Sequence, residues 1–198
     1  MALQGIDISN WQKGINLDAL AIDFAICKAT QGASYVSPDC DRQMQQAMKR
    51  GLLVGVYHYV NGAGVDAEAQ HFANSIKGYL GKALIVLDWE QGDNAAWGNT
   101  GYLDSLVAKV KALTGVTPLI YASQSVFPWD IAKKHGCGTW VAQYANNNTT
   151  GLQGNPWNEG AYSCDIRQYS SCGRLDGWGG NLDLNKALSL IHISEPTR

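Results

Sequence analysis

The chain has 198 residues, 45% of them apolar and 16% charged. That is enough for one globular domain with a substantial core, and too apolar for a disordered chain. A net charge of −2 without a basic stripe argues against nucleic acid as a partner, and no uncharged apolar run approaches the ~20 residues that span a bilayer.

In chain order, GIDIS reads as a strand and INLDAL as a short helical piece. FAICKA is the next strand. SPDCDRQMQQAMKRG has helical features throughout: Ser37 as N-cap, Pro38 in the first turn, acids early, bases late and Gly51 as stop. LLVGVYHYV is a strand, and DAEAQHFANSIKGYL is a helix with Ala69, Phe72, Ala73 and Ile76 on one face. ALIVLDWE is a strand, TGYLDSLVAKVKALTG a helix ending at Gly115, PLIYAS a strand, and VFPWDIAKKHG holds a short helix. TWVAQYA, DIRQYS and NLDLN are three further strands joined by loops.

Eight strands and about five helices in alternation imply parallel pairing with helices outside. Eight strands favour a closed, irregular TIM-like α/β barrel over an open doubly wound sheet. The chain is short for a full barrel of ~250 residues, and the helices missing among the last strands account for this. Residues 1–188 are expected to form a single barrel domain. The last ten, SLIHISEPTR (189–198), lack period and read as an appended tail. The start, MALQGIDIS, has no basic stretch followed by an apolar one, so no signal peptide is expected.

Five cysteines, at 27, 40, 137, 164 and 172, are an odd number without a CxxC pair, which weakens both a full disulfide framework and a zinc ribbon. If the segment between Cys164 and Cys172 is a strand, their Cα atoms stand ~26 Å apart at ~3.3 Å per residue, too far for a bridge. Mostly buried free thiols are the expectation.

LIVLDWE asks why an apolar strand should end in two acids. Alternate strand residues share a face. Leu84, Val86, Asp88 and Glu90 therefore point one way, and Ile85, Leu87 and Trp89 the other. With the second set under the helices, the acids point into the barrel at the C-terminal end of the strand, where such barrels carry their sites. Other strands agree: Asp7 in GIDIS, Asp183 in NLDLN, Tyr57 in VGVYHY, Tyr121 in LIYAS, Trp140, Gln143 and Tyr144 in TWVAQY, and Gln168 and Tyr169 in IRQY. A mouth of acids and aromatics suits a sugar, because carboxylates bind hydroxyls and supply protons while rings stack on a pyranose face. His58 reads as a hydrogen-bonded core histidine.

These pieces, with FAICKATQGASYVSP and TPLIYAS, are specific in their order and spacing. Over about residues 4–188 the chain resembles the glycoside hydrolase family 25 muramidases, the Chalaropsis-type lysozymes common among phage endolysins. The resemblance implies a barrel of eight strands and about five helices. It also implies cleavage of the β-1,4 bond between N-acetylmuramic acid and N-acetylglucosamine in bacterial peptidoglycan. It maps the family's acidic cluster onto Asp7, Asp88, Glu90 and Asp183. Many relatives carry a tryptophan where this chain has Arg167. The expected protein is a monomer that needs no cofactor or metal, does not insert into membranes, and acts on the wall, as a phage enzyme released through a holin-type pore would.

Burial beside apolar residues and three other carboxylates should raise the pKa of Glu90 and suit it to act as general acid. Asp88 on the same strand face suits substrate-assisted retention, holding the N-acetyl group while its carbonyl oxygen attacks. Inversion, with Asp183 or Asp7 activating water, is the alternative. Two other functions compete. A metal-dependent wall amidase or deacetylase would need histidines at ligand spacing, and His58, His71, His135 and His192 form no HxxxH or HExxH. A non-catalytic wall-carbohydrate-binding barrel would need no proton donor, yet Glu90 is present.

Overall fold

The computed structural model describes residues 2–188, so the tail expected at 189–198 lies outside the described residues. Among the described residues nine strands run in chain order: β1 (Leu3–Ile8), β2 (Phe24–Gln31), β3 (Tyr35–Val36), β4 (Leu53–Tyr59), β5 (Leu84–Asp88), β6 (Leu119–Ser123), β7 (Thr139–Ala142), β8 (Ile166–Gly173) and β9 (Leu182–Ala187). Eight of them close a barrel, β1-β2-β4-β5-β6-β7-β8-β9, with β9 returning to β1. The two-residue β3 pairs with the end of β2 and stands outside the barrel circuit; it is too short to show a period.

The barrel is not wholly parallel. β9 runs antiparallel to both β8 and β1, which corrects the expectation of parallel pairing throughout. A parallel crossover needs a dozen or more residues. The connection at 174–181 is shorter, so the chain returns as a hairpin.

Four α-helices are present among the described residues: α1 (Cys40–Lys49), α2 (Val65–Ser75), α3 (Thr100–Thr114) and α4 (Trp129–His135). The segment read as a first short helix is a 3-10 turn at Leu17–Ala19. α1 starts two residues later than Ser37 and Pro38 suggest, after Asp39, and Ser37 is buried. α3 is capped by the Asn99 side chain, which accepts from the Tyr102 backbone N–H, and stops at Gly115, whose φ of 74° suits glycine.

Strand alternation divides two apolar layers. Ile85, Leu87 and Trp89 pack outward with Phe72, Leu103 and Val107 of the helices. Val86 packs inward with Ile26, Leu119, Trp140 and Ile166. Phe24 helps fill the barrel floor, and its ring leaves no room for a side chain at Gly5, where a Cβ would lie 2.5 Å from the ring. Gly5→Val should therefore destabilise the fold by about 1–3 kcal/mol, the usual cost of overpacking. Urea unfolding would show it as a lower midpoint with an unchanged slope.

Several polar groups are buried on the outer side of the barrel. His58 is fully buried; its Nδ1 is 2.7 Å from Thr30 Oγ1 and its Nε2 2.8 Å from Glu68 Oε2. Tyr102 donates to the same carboxylate at 2.6 Å. Arg167 is also buried on the outer face of β8, with its guanidinium 4.3 Å from the centre of the Tyr162 ring. All five cysteines are free, and all but Cys172 are buried.

Candidate active site

The first seven barrel strands end at one mouth, and antiparallel β9 begins there. Asp88 is the last residue of β5, and Glu90 follows on the same face. This extension is pinned from both sides: Val60 N–H donates to the Asp88 carbonyl at 3.0 Å, and Trp89 N–H to the Tyr121 carbonyl at 2.9 Å. Asp183 reaches the mouth because β9 is reversed, and its register sets it opposite Asp7 of β1. Like charges directly opposite on a sheet repel.

The four acids line one cleft of about 250 Å³ with Tyr57, Tyr121, Trp140, Tyr144 and Gln168. Of the eleven residues expected at the mouth, Gln143 and Tyr169 are elsewhere: Tyr169 lies in the outer apolar layer, where its hydroxyl donates to Gln4 Oε1 at 3.1 Å. Alternation along β7 turns Trp140 and Ala142 inward and sends Gln143 outward. There Gln143 Oε1 accepts from Asn158 Nδ2 at 3.2 Å and lines a separate cleft. Placing Gln143 beside Tyr144 overlooked the two-residue period.

A hydrogen-bonded chain orders the cleft floor. Trp140 Nε1 donates to Asn185 Oδ1 at 2.8 Å. Asn185 Nδ2 and Gln168 Nε2 donate to Asp7 Oδ2 at 2.6 and 2.8 Å. The Tyr121 hydroxyl donates to Gln168 Oε1 at 2.7 Å, and the Tyr144 hydroxyl donates to the same oxygen. With two hydroxyls on its oxygen, Gln168 must present its NH₂ to Asp7. Tyr121 and Trp140, with ring centres 4.5 Å apart, are nearly buried and form the floor. Asp88 differs from Asp7: among the described residues its Oδ1 is buried without a hydrogen-bond partner. Such atoms call for an explanation; the three nitrogens of the buried Arg167 guanidinium also lack partners, but only the Asp88 oxygen faces the acid cleft.

Burial pushes all four acids upward. It is the largest cause for Asp7, raised well above the usual range, with Asp183 adding repulsion against the Asn185 and Gln168 hydrogen bonds. For Asp88, also raised well above, Glu90 adds to burial and Lys28 opposes it. Glu90 is raised by burial, held back by the Tyr121 hydroxyl and Lys28. Burial, then Glu90, pushes Asp183 to about 7. The cluster therefore holds protons to higher pH than free carboxyls do, and its members titrate together.

Raised carboxyls weaken the fold at high pH. A carboxyl with a pKa of ~3.9 unfolded and about 7 folded gives its full stability below ~4 and loses it as pH rises to about 7. Asp183→Asn should therefore stabilise the protein at pH 8 by about 1–3 kcal/mol, discounted for partial exposure. The gain should shrink toward pH 4, which melts at both pH values would show.

Sequence reasoning missed Ser9, Trp11, Lys28 and Tyr59, which also line the cleft, and Asn185 beneath it. Lys28 carried a signal: Phe24, Ile26 and Lys28 alternate on the inner face of β2. A bulge after Lys28 then turns Thr30 outward to His58. Trp11, 85% exposed, sits on a 3-10 turn held by a Ser9–Gln12 capping box. Among the described residues, no group of three or more His, Cys, Asp or Glu side chains is arranged to hold a metal ion.

Comparison with known proteins agrees with this geometry. The sequence profile of the glycosyl hydrolases family 25 matches residues 6–178. Lysozyme M1 of Streptomyces globisporus is 29% identical over 203 residues, covering 93% of this chain and 67% of that protein. The crystal structure of a lysozyme from Streptomyces coelicolor superposes with a TM-score of 0.75 at 26% identity, covering 94% of this chain and 92% of that one. The catalytic domain of an endolysin from a Listeria monocytogenes bacteriophage superposes with a TM-score of 0.77 at 25% identity, covering 97% and 96%. With a family profile spanning most of its length and a barrel mouth built from acids and aromatics, the chain belongs to family 25 of the glycosyl hydrolases and is a glycoside hydrolase.

Proposed function

We propose that this protein is a muramidase that cleaves the β-1,4 bond between N-acetylmuramic acid and N-acetylglucosamine in bacterial peptidoglycan. Relatives named lysozyme and N,O-diacetylmuramidase support the substrate class. Glu90 is the general acid, and Asp88 holds the substrate's acetamido group. The observation that carries this reading is the buried, unpartnered Oδ1 of Asp88, an acceptor suited to the acetamido N–H. Accepting that bond favours the ionised form of Asp88. The proton shared with Glu90 then belongs on Glu90, at the partly exposed rim where a leaving-group oxygen arrives. As the glycosidic bond breaks, Glu90 gives its proton to the leaving oxygen, and the acetamido carbonyl oxygen closes on the anomeric carbon. Water then attacks the anomeric carbon, returns a proton to Glu90 and opens that ring, with configuration retained. Asp7, locked by Gln168 and Asn185, and Asp183 stabilise the developing positive charge. Tyr57 and Tyr144 border the bound sugar over the floor of Tyr121 and Trp140. We further propose that the enzyme acts on the cell wall as a monomer, in the manner of a phage endolysin.

Mass spectrometry of fragments from digested peptidoglycan tests the bond: N-acetylmuramic acid at the new reducing end is the expected result. A glucosamine reducing end, or free peptide, would reject the muramidase assignment. The first-formed anomer tests the route, because an initial α-product would reject retention.

A further inference from the structure

We propose that the cleft beneath the β7–β8 loop is a second saccharide site, which holds a neutral N-acetylated sugar of a wall glycan against the face of Trp157. The inference rests on the reading of peptidoglycan as substrate. The cleft has a volume of about 190 Å³ and is separate from the acid cleft. It lies where a barrel would have a helix: the chain between β7 and β8 instead crosses the outer face of β8 as a loop.

That loop is tied down at several points. Gln153 N–H donates to the Tyr169 hydroxyl at 3.1 Å, and Gln4 Nε2 donates to the Gln153 carbonyl at 2.7 Å. Thr150 N–H donates to the Cys172 carbonyl at 3.4 Å, and Arg174 N–H to the Thr150 carbonyl at 2.9 Å. Lys186, nearly buried, pairs with Glu159 at 2.6 Å. The walls are therefore fixed before a ligand arrives, which lowers the cost of binding.

The lining chemistry selects the ligand. No lining side chain carries a charge; amides and hydroxyls dominate, and the one large apolar surface is Trp157, 54% exposed. Wall peptides bring carboxylates, and nothing here would pair with them. A neutral sugar offers hydroxyls and an acetamido group to amides, and an apolar ring face to an indole. The groups to receive it are open: among the described residues, the Gln143 side chain uses only its oxygen, and the Asn148 and Thr149 side chains make no hydrogen bond. Gln143 lies here, one residue from Tyr144 of the acid cleft, so the two clefts flank the end of β7.

The test uses a Glu90→Gln background, which keeps the wall intact during binding. Trp157→Ala in that background should weaken binding to purified peptidoglycan about three- to tenfold, the range of one aromatic contact. Because Trp157 is exposed, its melting temperature should not change. N-acetylglucosamine oligomers should shift the Trp157 indole resonance of the Glu90→Gln protein. With Glu90 restored, Trp157→Ala should turn over short soluble fragments as the parent does. Unchanged wall binding, or an indole resonance that does not move, overturns the proposal. If Trp157-dependent binding stands while the parent releases no muramic-acid reducing ends, the muramidase reading fails and the second site survives.

Discussion

Glu90→Gln should lower peptidoglycan turnover by about 10²–10⁴-fold, the usual contribution of general acid catalysis. The amide keeps the size of the side chain and loses the transferable proton. Wall binding should persist, because Trp11, Tyr57 and Tyr59 still line the cleft. The fold should persist too, and become more stable above neutrality. Burial raises the Glu90 carboxyl, so ionising it weakens the native state as pH rises, and a neutral amide escapes that cost. Lost turnover with a higher melting temperature at pH 8 separates a catalytic role from a structural one. Near-normal turnover would move the proton donor to Asp183 or Asp7.

Asp88→Asn should be nearly as severe, about 10²–10³-fold, the scale of one preorganised electrostatic contact. Asparagine is isosteric, but the atom that replaces the unpartnered oxygen can be an NH₂ group, which cannot accept from an acetamido N–H. The charge that opposes the developing cation is also lost. The loss should fall mainly on kcat, since the contact strengthens as the acetamido oxygen attacks. A substrate lacking the acetamido group should be poor for the parent and equally poor for Asp88→Asn; a further drop with that substrate would show that Asp88 acts on the sugar ring rather than on the acetamido group. His58→Gln is the control. His58 is buried on the outer face of β4, away from the cleft, so it should keep more activity than either acid variant, with any loss tracking stability.

Much of the site was legible because a barrel strand obeys a simple rule. Period-two alternation is local, so LIVLDWE alone sorts Asp88 and Glu90 from Leu87 and Trp89. The structure bears this out in two separate apolar layers. The same rule, applied further, would have found Lys28 and turned Gln143 away from the mouth. Helix extents were legible where the end signals are chemical, as at Gly115. They were less so at α1, where Ser37 has a cap residue's chemistry but the helix starts after Asp39.

The sequence by itself determined the alternation of elements, the inward face of β5 and four acids at strand ends, because these follow from local periodicity and residue chemistry. Tertiary structure alone decided that β9 runs backwards and sets Asp183 opposite Asp7, and that Gln168 and Asn185 converge on Asp7 from 161 and 178 residues away. It also decided that Asp88 keeps an oxygen without a partner. Each depends on which strands become neighbours when the barrel closes. Closure is a global balance of packing, strand stagger and connection length, and no short window of the chain contains it.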